Sequence, residues 1–301
     1  MSYSSQRQAN ISNFNPQRIL AYESDSMKAI LLGVTKSILQ HESSDRQTLF
    51  KTEHLGDYTL PDYGLEHYLP PPSISPIFHR KGLKIMDFAC GTGLLVQDLA
   101  PYLTDATVIG IDISDSPLAA FSSKLDGISK VNPSLVVKPY RYDIIDEQFN
   151  SENGLQRPPE LVYGTFDLIT TTLSFHHFSE LDKIVAELYK YLKKDGKLII
   201  VDMYDHKDEY APDEVDRNSA VAHHGGFSPD QMKQKLAPFE FASVEVSEKY
   251  VYEHWCSEDN LMNHLPKPRA IKALKDAPRR ERGGRVEYLV TRSLVMAIGR
   301  K

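Results

Sequence analysis

Residues 84–114 read KIMDFACGTGLLVQDLAPYLTDATVIGIDIS, and the order of textures in this run decides the fold. Leu83–Phe88 is a short apolar run of the kind that forms a buried strand. Asp87-Phe88-Ala89-Cys90-Gly91-Thr92-Gly93 then leads into a helical pattern from Leu94 to about Leu103, and Ala106–Ile111 is a second strand. At Gly91 and Gly93 the backbone can take positive φ and pass close to a ligand. The helix that follows presents unpaired N–H groups and a partial positive charge. Such a turn suits an anionic group, either a pyrophosphate or the carboxylate of an amino acid. Asp112, 21 residues after Gly91, stands at the tip of the second strand, where an acid can accept hydrogen bonds from both ribose hydroxyls. Together these features predict a cofactor that carries a nucleoside.

Two residues divide the possible cofactors. The dinucleotide fingerprint needs Gly or Ala at its third position, where this chain has Val96. Asp87, four residues before Gly91, would also repel a pyrophosphate. It would not repel the methionyl end of S-adenosylmethionine, whose ammonium and sulfonium groups are cationic. KIMDFACGTGLLVQDLA resembles the first motif of class I S-adenosylmethionine-dependent methyltransferases, and VIGIDIS resembles the second. RYDIID (Arg141–Asp146) is similar to the acidic step after the third strand. FDLITTTLSFHHF is similar to the fourth-strand motif, and LKKDGKLIIVD to the fifth strand with the helix end before it. The resemblance runs in order and register from Lys84 to Asp202, and its texture is nearest the small methyltransferases related to ubiquinone and menaquinone biosynthesis enzymes.

The resemblance implies a Rossmann-like, doubly wound α/β fold. Its sheet would be seven-stranded and mostly parallel, with an antiparallel last strand. It implies S-adenosyl-L-methionine as cofactor, with Gly91 and Gly93 lining the methionyl portion and Asp87 nearby. Asp112 would hold the ribose hydroxyls and Ile113 pack on the adenine. Asp143 and Ile144 would meet the adenine edge, and Thr171 and Thr172 would sit under the cofactor. For Ile113 and Ile144 plain core packing stays open, as does a strand-end role for the two threonines.

Outward from this centre, the alternation of strands and helices argues independently for a parallel sheet covered on both faces. Ser116-Pro117 reads as a helix start. Leu135–Tyr142 reads as a strand interrupted by Pro139, and Phe166–Thr171 as the next strand. Ser179 with Asp182 resembles a capping box before the apolar face Leu181, Ile184, Val185, Leu188, Tyr191 and Leu192. Asp195-Gly196 is expected to end that helix before a strand over Lys197–Asp202. Ser228-Pro229-Asp230-Gln231 is a further helix start, and Phe241–Tyr252 and Glu287–Ile298 read as a closing antiparallel pair. Residues 1–80 are expected to form a tail and cap, and 81–301 the catalytic domain. Within the cap, 1–18 read as a loose polar tail, and Met27, Ile30, Leu31, Val34 and Ile38 as one helix face. A Tyr- and Pro-rich stretch follows, in which Tyr58, Tyr63 and Tyr68 either wall the substrate or pack the cap.

Methyl transfer needs alignment of the acceptor and exclusion of water, and needs a base only where the acceptor loses a proton. His223 and His224 are the candidate bases; a turn role is the alternative. His176 and His177 follow the fourth strand and either border the methyl site or pack. Neither pair has an acid or cysteine at ligand spacing, so no metal is expected. Cys90 reads as a small buried side chain and not a nucleophile. The two cysteines, Cys90 and Cys256, form no disulfide framework, and no secretory signal or membrane-length apolar run is present. A cytoplasmic protein with a small-molecule methyl acceptor is the expectation. The net charge of −6 argues against nucleic acid as partner, although residues 267–285 are locally basic. The alternatives are a protein or RNA methyltransferase, an NAD-dependent oxidoreductase, and a non-catalytic binding protein. The acceptor and the oligomeric state are not legible.

Overall fold

A computed structural model describes residues 2–42, 50–52, 74–204, 220–223, 226–265 and 267–301. Tyr58, Tyr63, Tyr68 and His224 lie outside the described residues. One nine-stranded sheet organises the chain, in the order β1-β7-β9-β6-β5-β2-β3-β4, with β8 paired to β9. Its strands are β1 (Phe50–Thr52), β2 (Lys84–Phe88), β3 (Thr107–Asp112), β4 (Val136–Arg141), β5 (Phe166–Thr172), β6 (Leu192–Met203), β7 (Ser243–Ser257), β8 (Arg279–Arg282) and β9 (Arg285–Arg300). Strands β4, β3, β2, β5 and β6 run parallel, and β9 runs antiparallel to both β6 and β7. The expected seven-stranded arrangement is present, and β1 and β8 are additions to it.

The strands read as continuous apolar runs because both faces of the sheet are covered. Ile85, Val108, Leu168 and Ile199 face one core, which also holds Val34 and Ile38 of α3 (Asp25–Leu39), Leu95 and Leu99 of α4 (Leu94–Leu99), and Phe121 of α5 (Asp115–Val131). Met86, Ile109, Ile169 and Ile200 face the other. That core takes in Leu181, Ile184, Val185 and Leu188 of α7 (Leu181–Tyr191) and Met232 and Leu236 of α8 (Pro229–Leu236). Pro139 is accommodated because β4 is an edge strand, which needs its N–H groups on one side only.

Several boundaries differ from the sequence expectation. α5 starts at Asp115 with Ser114 as its N-cap, so Pro117 is its third residue, where an N–H would have no intrahelical partner anyway. The Ser179–Asp182 capping box does not form: α7 begins after Glu180, and the Ser179 N–H donates instead to Gln6 Oε1 at 2.7 Å. α7 stops at Tyr191, and Asp195 takes a left-handed conformation (φ 63°) within the early part of β6. The capping box of α8 does form, with Ser228 and Gln231 each accepting from the other's backbone N–H.

The expected loose tail is helical. α1 (Tyr3–Asn13) and α2 (Pro16–Tyr22) are capped by the side chains of Ser2 and Asn15. The face α1 buries carries Gln6 and Asn10, so no apolar period announced it. The 34 residues between the two closing strands read from the sequence, 253–286, hold further elements as well. β7 continues to Ser257, and α9 (Glu258–His264), α10 (Lys267–Asp276) and β8 follow. β7 and β9 therefore continue as a ribbon past Met203, whose partner Leu294 is the last that β9 offers β6.

Candidate active site

The carboxyl ends of β2, β3, β4 and β5 open onto two adjoining cavities beneath α1, α2 and α3. The larger encloses about 860 Å³ of space not filled by protein atoms, part of it open to solvent. Its floor is the glycine turn (Ala89, Cys90, Gly91, Thr92) with Asp112, Ile113 and Thr172, and its roof is apolar, with Phe14, Ile19, Tyr22, Met27 and Leu31. The smaller lies between Ile113, Asp143 and Ile144 on the strand side and Tyr3, Gln6, Arg7 and Asn10 of α1. Asn10, Ala89, Asp112, Ile113, His177 and Phe178 line both, so the two are one elongated cleft.

Asp112 is tied down at the centre of this cleft. Its Oδ2 accepts from the Gly91 N–H and its Oδ1 from the Ser114 N–H, each at 2.9 Å. Burial pushes its carboxyl up, against the pull of those backbone N–H groups. Gly91 (φ 53°) has open space where a Cβ would point. Gly93 (φ 76°) is different: a Cβ there would lie 2.2 Å from Phe121 of α5, so this glycine serves helix packing and does not line the cleft.

Asp87 lies beneath the turn, outside both linings and 2 % exposed. Its Oδ1 accepts from Thr170 Oγ1 at 3.1 Å, and its Oδ2 has no partner. Burial first, and the neighbouring Asp112 charge as well, push the Asp87 carboxyl up to about 7. Thr171 is fully buried, with its hydroxyl unpartnered, and does not reach the cleft. Cys90 borders the larger cavity, its thiol pushed well up by burial and by the nearby Asp112 and Asp87 carboxylates.

Asp143 is held from the far side. Tyr3 donates its hydroxyl to Oδ1 at 3.0 Å and Oδ2 at 2.8 Å, and Arg7 reaches Oδ2 at 3.3 Å. Arg7 also pairs with Asp146 and lies over the Phe149 ring, 4.0 Å from its centre. Burial, then Asp143, push the Tyr3 hydroxyl up, so it stays a phenol and a donor. The N-terminal helix is thus latched across the cleft, and Asn10 Oδ1 is buried in it without a partner. Replacing Tyr3 with Phe and Arg7 with Met removes charge-assisted bonds, each worth about 1.5–3 kcal/mol. Amide exchange over residues 3–13 should then speed up at least roughly tenfold while β2 and β3 stay protected. Unchanged protection of α1 would mean the latch does not hold it.

The histidines separate. His177 lines both cavities, and burial first, with His176 beside it, lowers it to about 3. Its Nδ1 donates to the Ala220 carbonyl at 2.9 Å, so the ring is neutral with Nε2 as an acceptor. His176 Nδ1 meets the buried Asp202 Oδ1 at 2.6 Å, and the two imidazoles lie 4.2 Å apart. His223 lines neither cavity; its Nε2 is bound to the Phe178 carbonyl at 3.0 Å, and burial lowers it. Sequence reasoning missed Tyr3, Gln6, Arg7 and Asn10. Their signal is a polar stripe at helical spacing, which a search for apolar faces passes over.

Residues 86–198 match a methyltransferase-domain family. An uncharacterised methyltransferase of Schizosaccharomyces pombe is 27% identical over 260 residues, covering 83% of this chain and 84% of the relative. A demethylmenaquinone methyltransferase of Symbiobacterium thermophilum is 32% identical over 124 residues, which is 41% of this chain and 43% of that protein. The solved YcgJ protein of Bacillus subtilis is 18% identical with a TM-score of 0.48, covering 74% of this chain and 93% of that one. The domain that carries the cleft is a methyltransferase domain. By this likeness the chain is a methyltransferase.

Proposed function

We propose that the chain binds S-adenosylmethionine in this cleft and methylates a small organic acceptor in the apolar part of the larger cavity. The observation that carries this reading is the pairing of two carboxylates, the half-buried Asp112 and the buried Asp143, along one cleft beside the open Gly91 turn. Asp87 lies directly beneath with an oxygen to spare, and Asn10 adds another unpartnered acceptor. Buried acceptors in excess suit a ligand with hydroxyls, an amine and cationic centres, and oppose a pyrophosphate. The residues therefore fit the methyl donor better than a dinucleotide.

In this reading Asp112 takes the ribose hydroxyls, and Asp143 and Ile144 meet the adenine. Ile113 lies against the base, and Gly91 and Thr172 border the methionyl end. Asp87, Gly93 and Thr171 shape the turn from behind. When bound, the donor supplies a methyl group on a sulfonium and leaves as a neutral thioether. The chain's residues align the acceptor and keep water out, with Phe14, Tyr22, Met27 and Leu31 as the dry wall. His177 Nε2 accepts a hydrogen bond from the acceptor, while His223, bound to the Phe178 carbonyl, holds the chain beside the cleft.

Calorimetric titration tests the donor assignment directly. S-adenosylhomocysteine is expected to bind with one site per chain and NAD is not. Binding of NAD in the absence of any response to S-adenosylhomocysteine would reverse the assignment.

A further inference from the structure

The helix that roofs the nucleoside end of the cleft also occupies one of its two carboxylates. Asp143 Oδ1 accepts from the Ile145 N–H at 3.1 Å and from the Tyr3 hydroxyl at 3.0 Å. Its Oδ2 accepts from the same hydroxyl at 2.8 Å and from Arg7 at 3.3 Å. Each oxygen therefore has two donors, and a carboxylate has only about four lone-pair sites in all. The cavity at this point is lined by Asp112, Ile113, Asp143 and Ile144 from the strand side and by α1 from the other. Tyr3 stands where an amino group entering that cavity would have to bind.

α1 has little to hold it in this place except such polar contacts. The residues it buries are Gln6 and Asn10, and none of its apolar residues is buried. Tyr3 and Arg7 tie its first turns to the segment after β4. Gln6 and Asn10 tie its middle to the segment after β5, where Gln6 accepts from the Ser179 N–H at 2.7 Å and Asn10 Nδ2 donates to the His177 carbonyl at 3.4 Å. Beyond its end, Phe14 packs edge-on against His177 and beside Tyr22, with ring centres 5.6 and 5.4 Å apart. The first turns can thus lift while the far end stays anchored. Arg7 has a second acceptor in Asp146, so the Tyr3 hydroxyl is the donor whose departure makes room on both oxygens of Asp143.

We infer that Tyr3 is an autoinhibitory residue: its hydroxyl holds Asp143 in the free protein and competes for it with the adenine amino group of the methyl donor. Donor entry then requires the first turns of α1 to lift. This rests on the proposed assignment of Asp143 to the adenine. A donor meets only the fraction of chains in which Asp143 is free, and its apparent affinity is lowered by that fraction. A hydrogen bond to a charged group shifts such an equilibrium by roughly ten- to hundredfold.

Stopped-flow and calorimetric binding of S-adenosylhomocysteine to the whole chain test this. Tyr3→Phe keeps the ring and removes the hydroxyl. It should bind S-adenosylhomocysteine at least roughly threefold tighter than wild type, with the gain in the association rate and the dissociation rate unchanged. Saturating wild type with S-adenosylhomocysteine should also speed amide exchange over residues 3–13, the reverse of what a helix closing over its ligand shows. Weaker binding or faster release in Tyr3→Phe would overturn the inference, since Tyr3 would then be holding the donor in. Equal affinity and equal rates would overturn it too. The assignment beneath it has its own check, Asp143→Asn made in the Tyr3→Phe background, where the competing hydroxyl is gone. That change should weaken S-adenosylhomocysteine binding about tenfold. If it does not, the adenine assignment fails and the inference with it; if it does while Tyr3→Phe alone changes nothing, only the competition fails.

Discussion

Asp112→Ala is expected to weaken S-adenosylhomocysteine binding by about 1–3 kcal/mol, the cost of losing hydrogen bonds to a charged group. The geometry argues for the upper part of that range. The carboxylate already accepts from Gly91 and Ser114, so it is aimed before any ligand arrives and little ordering cost offsets its bonds. The same replacement strips two backbone N–H groups of their acceptor and frees the glycine turn. A second effect, loss of thermal stability without any ligand, should therefore accompany the first. Calorimetry measures one and a melt measures the other. A variant that melts lower and yet binds S-adenosylhomocysteine as wild type does would remove Asp112 from the ribose position.

Asp87→Asn is expected to raise the stability of the ligand-free protein above neutral pH, by a few kcal/mol at most. The folded carboxyl titrates at about 7 against 3.8 in the unfolded chain. A carboxyl raised in this way contributes stability that is fully present below the unfolded value. That contribution is lost as pH rises through the folded one. Wild type should therefore lose stability between about pH 4 and 7 relative to the Asn variant and run parallel to it above. Asp98, buried beneath Thr35 of α3 and also raised to about 7, gives the matching control. Asp98→Asn should show the same stability profile, since the cause is again burial. Only Asp87→Asn should also flatten the pH dependence of donor binding, which tightens in wild type as Asp87 loses its proton. Identical donor-binding profiles in all three proteins would separate Asp87 from the cofactor.

Much of the sheet was legible because its strands are short apolar runs buried on two faces, and because the glycine turn and Asp112 mark where two of them end. The edges of the helices were less so. Ser179 and Asp182 have the local chemistry of a cap, but Gln6, far away in sequence, takes the Ser179 N–H. A local pattern cannot announce a distant competitor. α1 escaped for a related reason, since it buries Gln6 and Asn10 and pairs its charges with Asp143 and Asp146. Polar helices of this kind are held by specific partners and not by an apolar stripe. The candidate site divided along the same line. Gly91, Asp112, Asp143 and Thr172, read from the strand ends, lie together on the cleft. His177, read from its place after the fourth strand as either bordering the site or packing, lines it, and what no spacing could show is the bond to the Ala220 carbonyl that fixes its ring.

The place of β9 in the sheet orders events during synthesis. It is the last strand in the chain, yet it lies between β6 and β7. Until residues 285–300 have been made, β7 has no neighbour on that side and β6 keeps an open edge along 197–203. α1 waits in the same way, for its partners Asp143 and Ser179 lie 140 and 173 residues further on. Contacts this distant in sequence form slowly. The nascent chain must therefore carry an unpaired apolar strand edge from the completion of β6 at Met203 until β9 has been made, a state in which shielding from other chains matters most.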